Sequence, residues 1–301
     1  MTSISVIILS FNEQMHIERC IRSLLPFAQK IFVVDAFSSD ETVNIAKVLG
    51  AEVYQNKWIN YSCQFNWALQ NLPISTQWVM RMDADEYVEP ELASEINLKL
   101  STFSNGLSGI YLKRKVFFKG KWIRHGGFYP HVLLRIWRLG KGVCESRWMD
   151  EHITLSDGKT IKFEGHIVDD NKNNISWWTT KHNHYASREA VDLLNIRYKF
   201  LNLENNIEAS VMGDKNQINR WLKEKVYTRL PFGIRPLLYF FYRYFIMLGF
   251  LDGFRGFVFC ALQGFWYRLL VDVKVYEIET RLKKENIDIK TLIKEEFNLI
   301  L

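Results

Sequence analysis

One stretch constrains this chain more than any other: Trp78-Val79-Met80-Arg81-Met82-Asp83-Ala84-Asp85-Glu86. Apolar residues lead directly into three acids, which reads as a buried strand whose C-terminal end opens into a carboxylate cluster. Residues two apart on a strand point the same way, so Asp83 and Asp85 are expected to project into one site. Oxygen ligands of that kind suit Mg²⁺ or Mn²⁺, which one or two carboxylates hold together with the phosphates of a bound substrate. A solvated acidic turn after a core strand would have the same local sequence.

The preceding residues give that strand its setting. Ser5 to Leu9 reads as a strand and His16 to Leu25 as a helix with Ile17, Cys20, Ile21 and Leu24 on one face. Lys30 to Asp35 is a second strand. Asp40 to Leu49 is a helix with Asp40 as a candidate N-cap and Gly50 as its stop. Ala51 to Tyr54 is a third strand, and Ser62 to Leu72 a helix halted by Pro73. Strand-helix repetition predicts an α/β fold, with a mostly parallel sheet covered by helices on both faces. Such sheets bind ligands at the carboxyl ends of their strands. Ser10 to Glu13, Asp35 to Ser39 and Asp83 to Glu86 all fall there, and are expected to converge. Asp35 is placed either to accept hydrogen bonds from a base or ribose, or to cap the following turn.

Composition narrows the partners. With 301 residues, 48% of them hydrophobic, the chain can bury a large core. A formal charge of +6 favours anionic partners, whether nucleotide phosphates, lipid head groups or nucleic acid. There is no G-x-G-x-x-G after the first strand and no P-loop, so a metal would have to offset phosphate charge. The four cysteines, Cys20, Cys63, Cys144 and Cys260, form no C-x-x-C pair and fit a reducing, cytoplasmic setting. The apolar run Ile4 to Leu9 has no basic flank and does not look like a secretory signal.

Ser5 to Glu13, Val33-Val34-Asp35 with Ser38 to Thr42, Gln64 to Leu69 and Met82 to Glu86, in this order and spacing, resemble glycosyltransferase family 2 with the GT-A fold. The similarity extends to the branch that builds lipopolysaccharide core and other surface glycans, through Tyr129-Pro130, Leu134 to Arg138, Asp150-Glu151 and His166. The resemblance implies a Rossmann-like sheet and inverting transfer of a sugar from a nucleotide diphosphate sugar, such as a UDP-sugar, to a glycan or glycolipid hydroxyl. It implies donor-binding positions at Ser10, Asn12, Glu13, Asp35, Gln64, Asn66 and Asp83. Asp85, with Asp83, would hold the metal, and Glu151 or the adjacent Asp150 would act as the catalytic carboxylate. His166 would be a third metal ligand or a hydrogen-bonded structural histidine. The chain departs from the family at Phe65, where members often carry arginine, and at Asp150, where the acid is commonly preceded by histidine.

Residues 110–118 read as a strand, followed by a loop with Trp122 and two glycines. Aromatic faces stack on sugars, so Trp122, Tyr129 and Trp148 are candidates for an acceptor site or for core packing. The run Trp177 to Tyr185 either brings Lys181 or His184 to the diphosphate or begins a helix through Leu194. After about Gln217 the composition shifts, dividing a nucleotide-sugar and acceptor domain, 1–216, from a helical region, 217–301. Between Arg220 and Leu270 stand eight basic residues, Arg220, Lys223, Lys225, Arg229, Arg235, Arg243, Arg255 and Arg268, against Glu224 and Asp252. Leu237 to Phe250 is shorter than the roughly 20 residues of a spanning helix. The segment is therefore expected to lie peripherally on the cytoplasmic face of the inner membrane, or to pack as an aromatic appendage. No groove-reading motif supports nucleic acid. The tail from Glu277 to Leu301 is expected to be a surface helix or a homo-oligomer contact. A non-catalytic membrane scaffold of the same fold is the alternative to an enzyme.

Overall fold

The computed structural model describes residues 3–145, 151–201, 231–285 and 287–299. Arg147, Trp148 and Asp150 lie outside the described residues, as do Arg220, Lys223, Glu224, Lys225 and Arg229. The chain forms two compact units. One comprises Met1–Glu145 and His152–Lys172, the other Ser146–Glu151 and Asn173–Leu301.

The first unit is built on β1 (Ile4–Ser10), buried at all seven residues. It pairs in parallel with β2 (Lys30–Asp35) and β4 (Trp78–Asp83), and β2 pairs in parallel with β3 (Glu52–Gln55). Alternation sends Ile4, Val6 and Ile8 to one core and Ile7 and Leu9 to another. The first core takes α1 (Ile17–Leu24), α2 (Thr42–Val48) and α4 (Pro90–Lys99); the second takes α3 (Tyr61–Asn71). Both faces are therefore covered, as an unbroken apolar strand requires. Asp40 does not itself cap α2: the N-cap is Glu41, while an Asp40 oxygen accepts the Thr42 amide at 3.0 Å.

Beyond β4 the sheet becomes mixed. β8 (His131–Arg138) is antiparallel to β4 and to β6 (Leu107–Phe118), β6 is parallel to β11 (Lys159–Asp169), and β11 is antiparallel to β5 (Glu86–Val88). A short β7 (Lys121–Ile123) pairs with β6. Three strands thus separate β4 from β5 in the order β3-β2-β1-β4-β8-β6-β11-β5. Only Ala84 and Asp85 join them in the chain. Such a link reaches about 10 Å, whereas four flat strand spacings would need about 19 Å. The sheet must therefore curl, which brings its far edge back to the end of β4. At Gly165 a Cβ would come 2.5 Å from the Leu92 Cα, so only glycine lets β11 cross α4 this closely. A separate hairpin, β9 (Gly142–Cys144) with β10 (Ile153–Leu155), brackets residues 146–151.

The second unit is helical. α5 (Ile175–Tyr198) contains the whole Trp177–Tyr185 run, so that segment is helix. Its Ala190, Val191 and Leu194 bury against Val271, Val275 and Ile278 of α8 (Tyr267–Lys284) and Leu292 and Ile293 of α9 (Ile289–Phe297). Between them lie α6 (Ile234–Phe241) and α7 (Gly253–Phe259).

Candidate active site

The carboxyl ends of β1, β2 and β4 are neighbours by register, Ser10 opposite Asp35 and Leu9 opposite Asp83. Asp35 is fully buried. Its carboxylate accepts from Ser10 Oγ at 3.0 Å, the Ser38 amide at 2.8 Å and Ser38 Oγ. Asn12, at φ 54°, accepts the Ser39 amide at 2.9 Å, and its own amide donates to Ser38 Oγ at 2.8 Å. Ser10, Asn12 and Asp35 therefore stitch the β1 and β2 loops into one rigid edge.

Asp83 ends β4. Tyr61 donates to its Oδ1 at 2.6 Å, and Arg135 Nη2 lies 3.4 Å from its Oδ2. Arg135, buried on β8, also donates to Glu86 Oε1 at 2.6 Å, and Glu86 Oε2 accepts the Asp83 amide at 3.1 Å. Arg114 Nη1 stands 3.5 Å from Glu86 and 3.6 Å from Asp169. Arg81, two residues before Asp83, lays its guanidinium 4.0 Å from the Tyr61 ring centroid. Three arginines and three carboxylates thus gather where the sheet curls. Burial alone would raise the Asp83 carboxyl, but Arg135 and then Arg81 outweigh it and hold the group well below the ordinary range. Glu86 goes the other way: burial, only partly offset by Arg135 and reinforced by the Asp83 charge, pushes it up to about 7. Sequence reasoning missed Tyr61, Arg81, Arg114 and Arg135 as a group. The two-residue spacing of Arg81 and Asp83 on one strand was the available signal.

Asp83 and Asp85 do not share a strand face, because β4 stops at Asp83 and Ala84-Asp85 form a turn. Curling of the sheet forces that turn, since β5 must start on the opposite edge. The half-buried Asp85 is fixed through its backbone carbonyl, which accepts from the Asp170 amide at 3.2 Å and Arg19 Nη2 at 3.1 Å. Its Oδ2 accepts from Asn171 at 3.0 Å. Arg19 in turn pairs with Asp170 at 2.7 Å. Glu13 is engaged next to this turn: its Oε2 lies 2.6 Å from His16 Nδ1, and His16 Nε2 accepts the Lys172 amide at 2.9 Å. The acceptor role of Nε2 places the ring proton on Nδ1, facing Glu13.

Other expected donor residues have structural partners. Gln64 exchanges hydrogen bonds with Asn56 at 2.9 and 3.0 Å. Asn66 binds the Cys144 backbone in both directions, at 2.8 and 2.9 Å, and so anchors the hairpin that brackets Glu151. Phe65 is buried, stacked on Tyr61 and 5.9 Å from Trp137 between ring centroids. The Arg81 guanidinium lies 5.9 Å from the Phe65 ring centroid. Glu151 is half-buried and belongs to the second unit. His166 is not brought to Asp85. It sits on β11 opposite Glu89, whose amide donates to its carbonyl at 3.1 Å, four residues and roughly 13 Å along the strand from Asp85, with Tyr129 Oη 2.9 Å from its Nε2 and Glu89 3.4 Å from its Nδ1. Burial and then Lys115 lower its pKa. Among the described residues, no group of three His, Cys, Asp or Glu is placed to hold a metal. Trp122 meets Tyr129 edge-on at 4.9 Å, so these two aromatics and His166 form one cluster. An open cleft of about 660 Å³ adjoins this cluster through His166, Glu89 and Lys115, and the Asp83–Asp85 turn does not line it.

Acids and hydroxyls thus collect at the strand ends of a curled α/β sheet, where such sheets bind their ligands. Residues 5–137 match the family model for Glycosyl transferase family 2, and this segment belongs to that family. An uncharacterized glycosyltransferase of Rickettsia typhi is 29% identical over 212 residues, 67% of this chain and 72% of the relative. One from Rickettsia prowazekii is 40% identical over 96 residues, so the alignment spans about a third of each protein, 32%. Among solved structures, glucosyl-3-phosphoglycerate synthase of Mycobacterium tuberculosis with Mn²⁺ and UDP matches 39% of this chain and 44% of its own, at 24% identity and a TM-score of 0.31. That likeness is too slight to bear on function.

Proposed function

We propose that the protein is an inverting glycosyltransferase. It moves a sugar from a nucleotide diphosphate sugar, in our reading a UDP-sugar, to a hydroxyl of a lipid-linked or cell-surface glycan at the cytoplasmic face of a membrane. The observation that carries this reading is the convergence of Ser10, Asp35 and Asp83 at adjoining strand ends, with Asp85 on the turn that follows, within a segment of glycosyl transferase family 2.

The residues present fit a hard divalent cation. Asp85 is a half-buried carboxylate on a turn whose backbone is held by Arg19 and Asp170, and Asp83, two residues earlier at the end of β4, is held ionised. Too few protein ligands for a closed cage suits Mg²⁺ or Mn²⁺, which takes its remaining oxygens from phosphate and water. When bound, the ion offsets the charge that builds on the departing diphosphate. Asp83, locked by Tyr61 and Arg135, contacts the ribose or diphosphate, and Asp35 with Ser10 shapes the nucleoside edge. Arg81 supplies a cation on the same strand. Trp122 and Tyr129 stack on the acceptor. Glu151 takes the proton of the acceptor hydroxyl, which attacks from the face opposite the leaving nucleotide.

The test is incubation of the protein with a panel of nucleotide diphosphate sugars, with and without EDTA. Donor turnover that requires Mg²⁺ or Mn²⁺ and disappears in Asp85→Asn is expected. Full turnover in chelator overturns the metal assignment, and no turnover with any donor overturns the enzymatic reading.

A further inference from the structure

We propose that residues 234–266 form a helical hairpin that seats in one leaflet of an anionic membrane and leaves on the side it entered. The proposal deepens the membrane location given above and rests on that reading for its choice of partner. α6 continues through wide π-type turns at Tyr242–Ile246, the chain reverses at residues 247–252, and α7 runs back through similar turns at Cys260–Trp266 into α8. The arms touch: Tyr244 meets Phe257 at 5.6 Å and Phe250 at 6.2 Å, and Phe240 meets Phe257 at 6.2 Å. Two glycines allow this approach. A Cβ at Gly249 would fall 2.8 Å from Cys260 Sγ, and one at Gly256 would fall 2.5 Å from the Gly249 carbonyl.

The outer side of the hairpin is apolar. Ile234, Leu237, Leu238, Phe241, Tyr242 and Phe245 are exposed at the spacing of a single helix face. The stripe runs on over the tip, where Ile246 is 71% and Phe254 80% exposed. A contiguous apolar surface of this kind marks an interaction site.

Charge selects the partner. Residues 232–268 carry four arginines and one acid, Asp252; Arg235 and Arg268 pair with Asp272 and Glu189 of neighbouring helices. Arg255 is exposed directly beside Phe254, at the rim of the apolar surface. Arg243 reaches back one turn to the Tyr239 hydroxyl and packs its side chain towards Gly264 of the other arm, so it braces the hairpin from inside. A basic residue at the rim of an exposed apolar surface matches anionic head groups.

The base decides between seating and spanning. The helical run Gly249–Lys284 has 36 residues and is long and apolar enough to cross a membrane by length and composition. Its second half, however, buries Val271, Val275 and Ile278 against α5 and α9. Arg235 of α6 is buried and donates to Asp272 of α8 at 2.7 Å, and the Gly233 amide donates to the same carboxylate at 3.1 Å. That pair clamps the start of one arm to the end of the other. From Ile234 to Ile246 the arm reaches roughly 20 Å at about 1.5 Å per residue, less than the ~30 Å hydrocarbon core.

The full-length protein is tested on phosphatidylcholine vesicles with and without phosphatidylglycerol. A Phe241→Ser, Phe245→Ser, Phe254→Ser variant changes exposed side chains only. Its vesicle binding is expected to fall by about tenfold or more, with nucleotide-sugar hydrolysis unchanged. Arg255→Gln is expected to weaken the preference for phosphatidylglycerol. In a Cys63→Ser background, an NBD label on Leu248→Cys should shift to the blue with vesicles and be quenched by nitroxide lipids, yet resist dithionite trapped inside them. Unchanged binding of the triple variant overturns the proposal. So does labelling from inside, which means a span, or lipid-free self-association through the same residues without vesicle binding, which means a second copy. Absence of hydrolysis in every protein, wild type included, would instead refute the enzymatic reading and leave the vesicle result standing.

Discussion

Replacing Arg135 by leucine tests the charge cluster behind the candidate site. Arg135 is 2% exposed and Glu86 1% exposed, and the two meet at 2.6 Å. Loss of one partner from a buried pair costs about 3–5 kcal/mol, because the remaining charge stays desolvated. Arg114, 3.5 Å from Glu86, is left to offset part of this, so the lower end, about 3 kcal/mol, is expected at pH 8. That is a large fraction of the ~5–15 kcal/mol that stabilises a typical domain. Glu86 is already held near 7, and without Arg135 its carboxyl rises further. At pH 5.5 it is protonated, needs no cation, and the penalty shrinks. Urea unfolding followed by tryptophan fluorescence, at both pH values, measures the difference. Adding Glu86→Gln to Arg135→Leu should recover a substantial part of the loss at pH 8. A change within about 1 kcal/mol at both pH values, or full additivity of the two substitutions, would show that the pair does not hold this corner of the fold.

Two further outcomes concern titration and catalysis. Glu86 has a folded pKa near 7, above its ordinary 4.5, so its stabilising contribution is complete below about pH 4.5 and is lost as pH rises through 7. Asp83, held low, acts oppositely, losing its contribution only as pH falls below its ordinary 3.8. The melting temperature of the wild type should therefore decline from pH 5 to pH 8, and that of Glu86→Gln should decline less; equal slopes would remove Glu86 as the cause. Glu151→Gln should slow sugar transfer by roughly 10²-fold or more with donor affinity almost unchanged, read from initial rates and donor titration; a normal rate would take the catalytic role away from Glu151.

The amino-acid sequence alone determined the parallel half of the sheet, because each element there depends on local periodicity: unbroken apolar runs for strands buried on both faces, and a helical face such as Ile17, Cys20, Ile21 and Leu24. It also located the acids at strand ends, since β-α alternation dictates which ends carry ligands. It could not show that Asp83 and Asp85 part company, because the turn between them exists only to place β5 on the far edge of a curled sheet. Nor could it show that Arg135 serves Glu86 or that Lys172 caps His16, pairings that span 49 and 156 residues. A buried arginine is written in the same letter as a solvated one. Only tertiary structure decided which was which, because desolvation, and with it the opposite displacement of Asp83 and Glu86, arises when distant strands close around the charge.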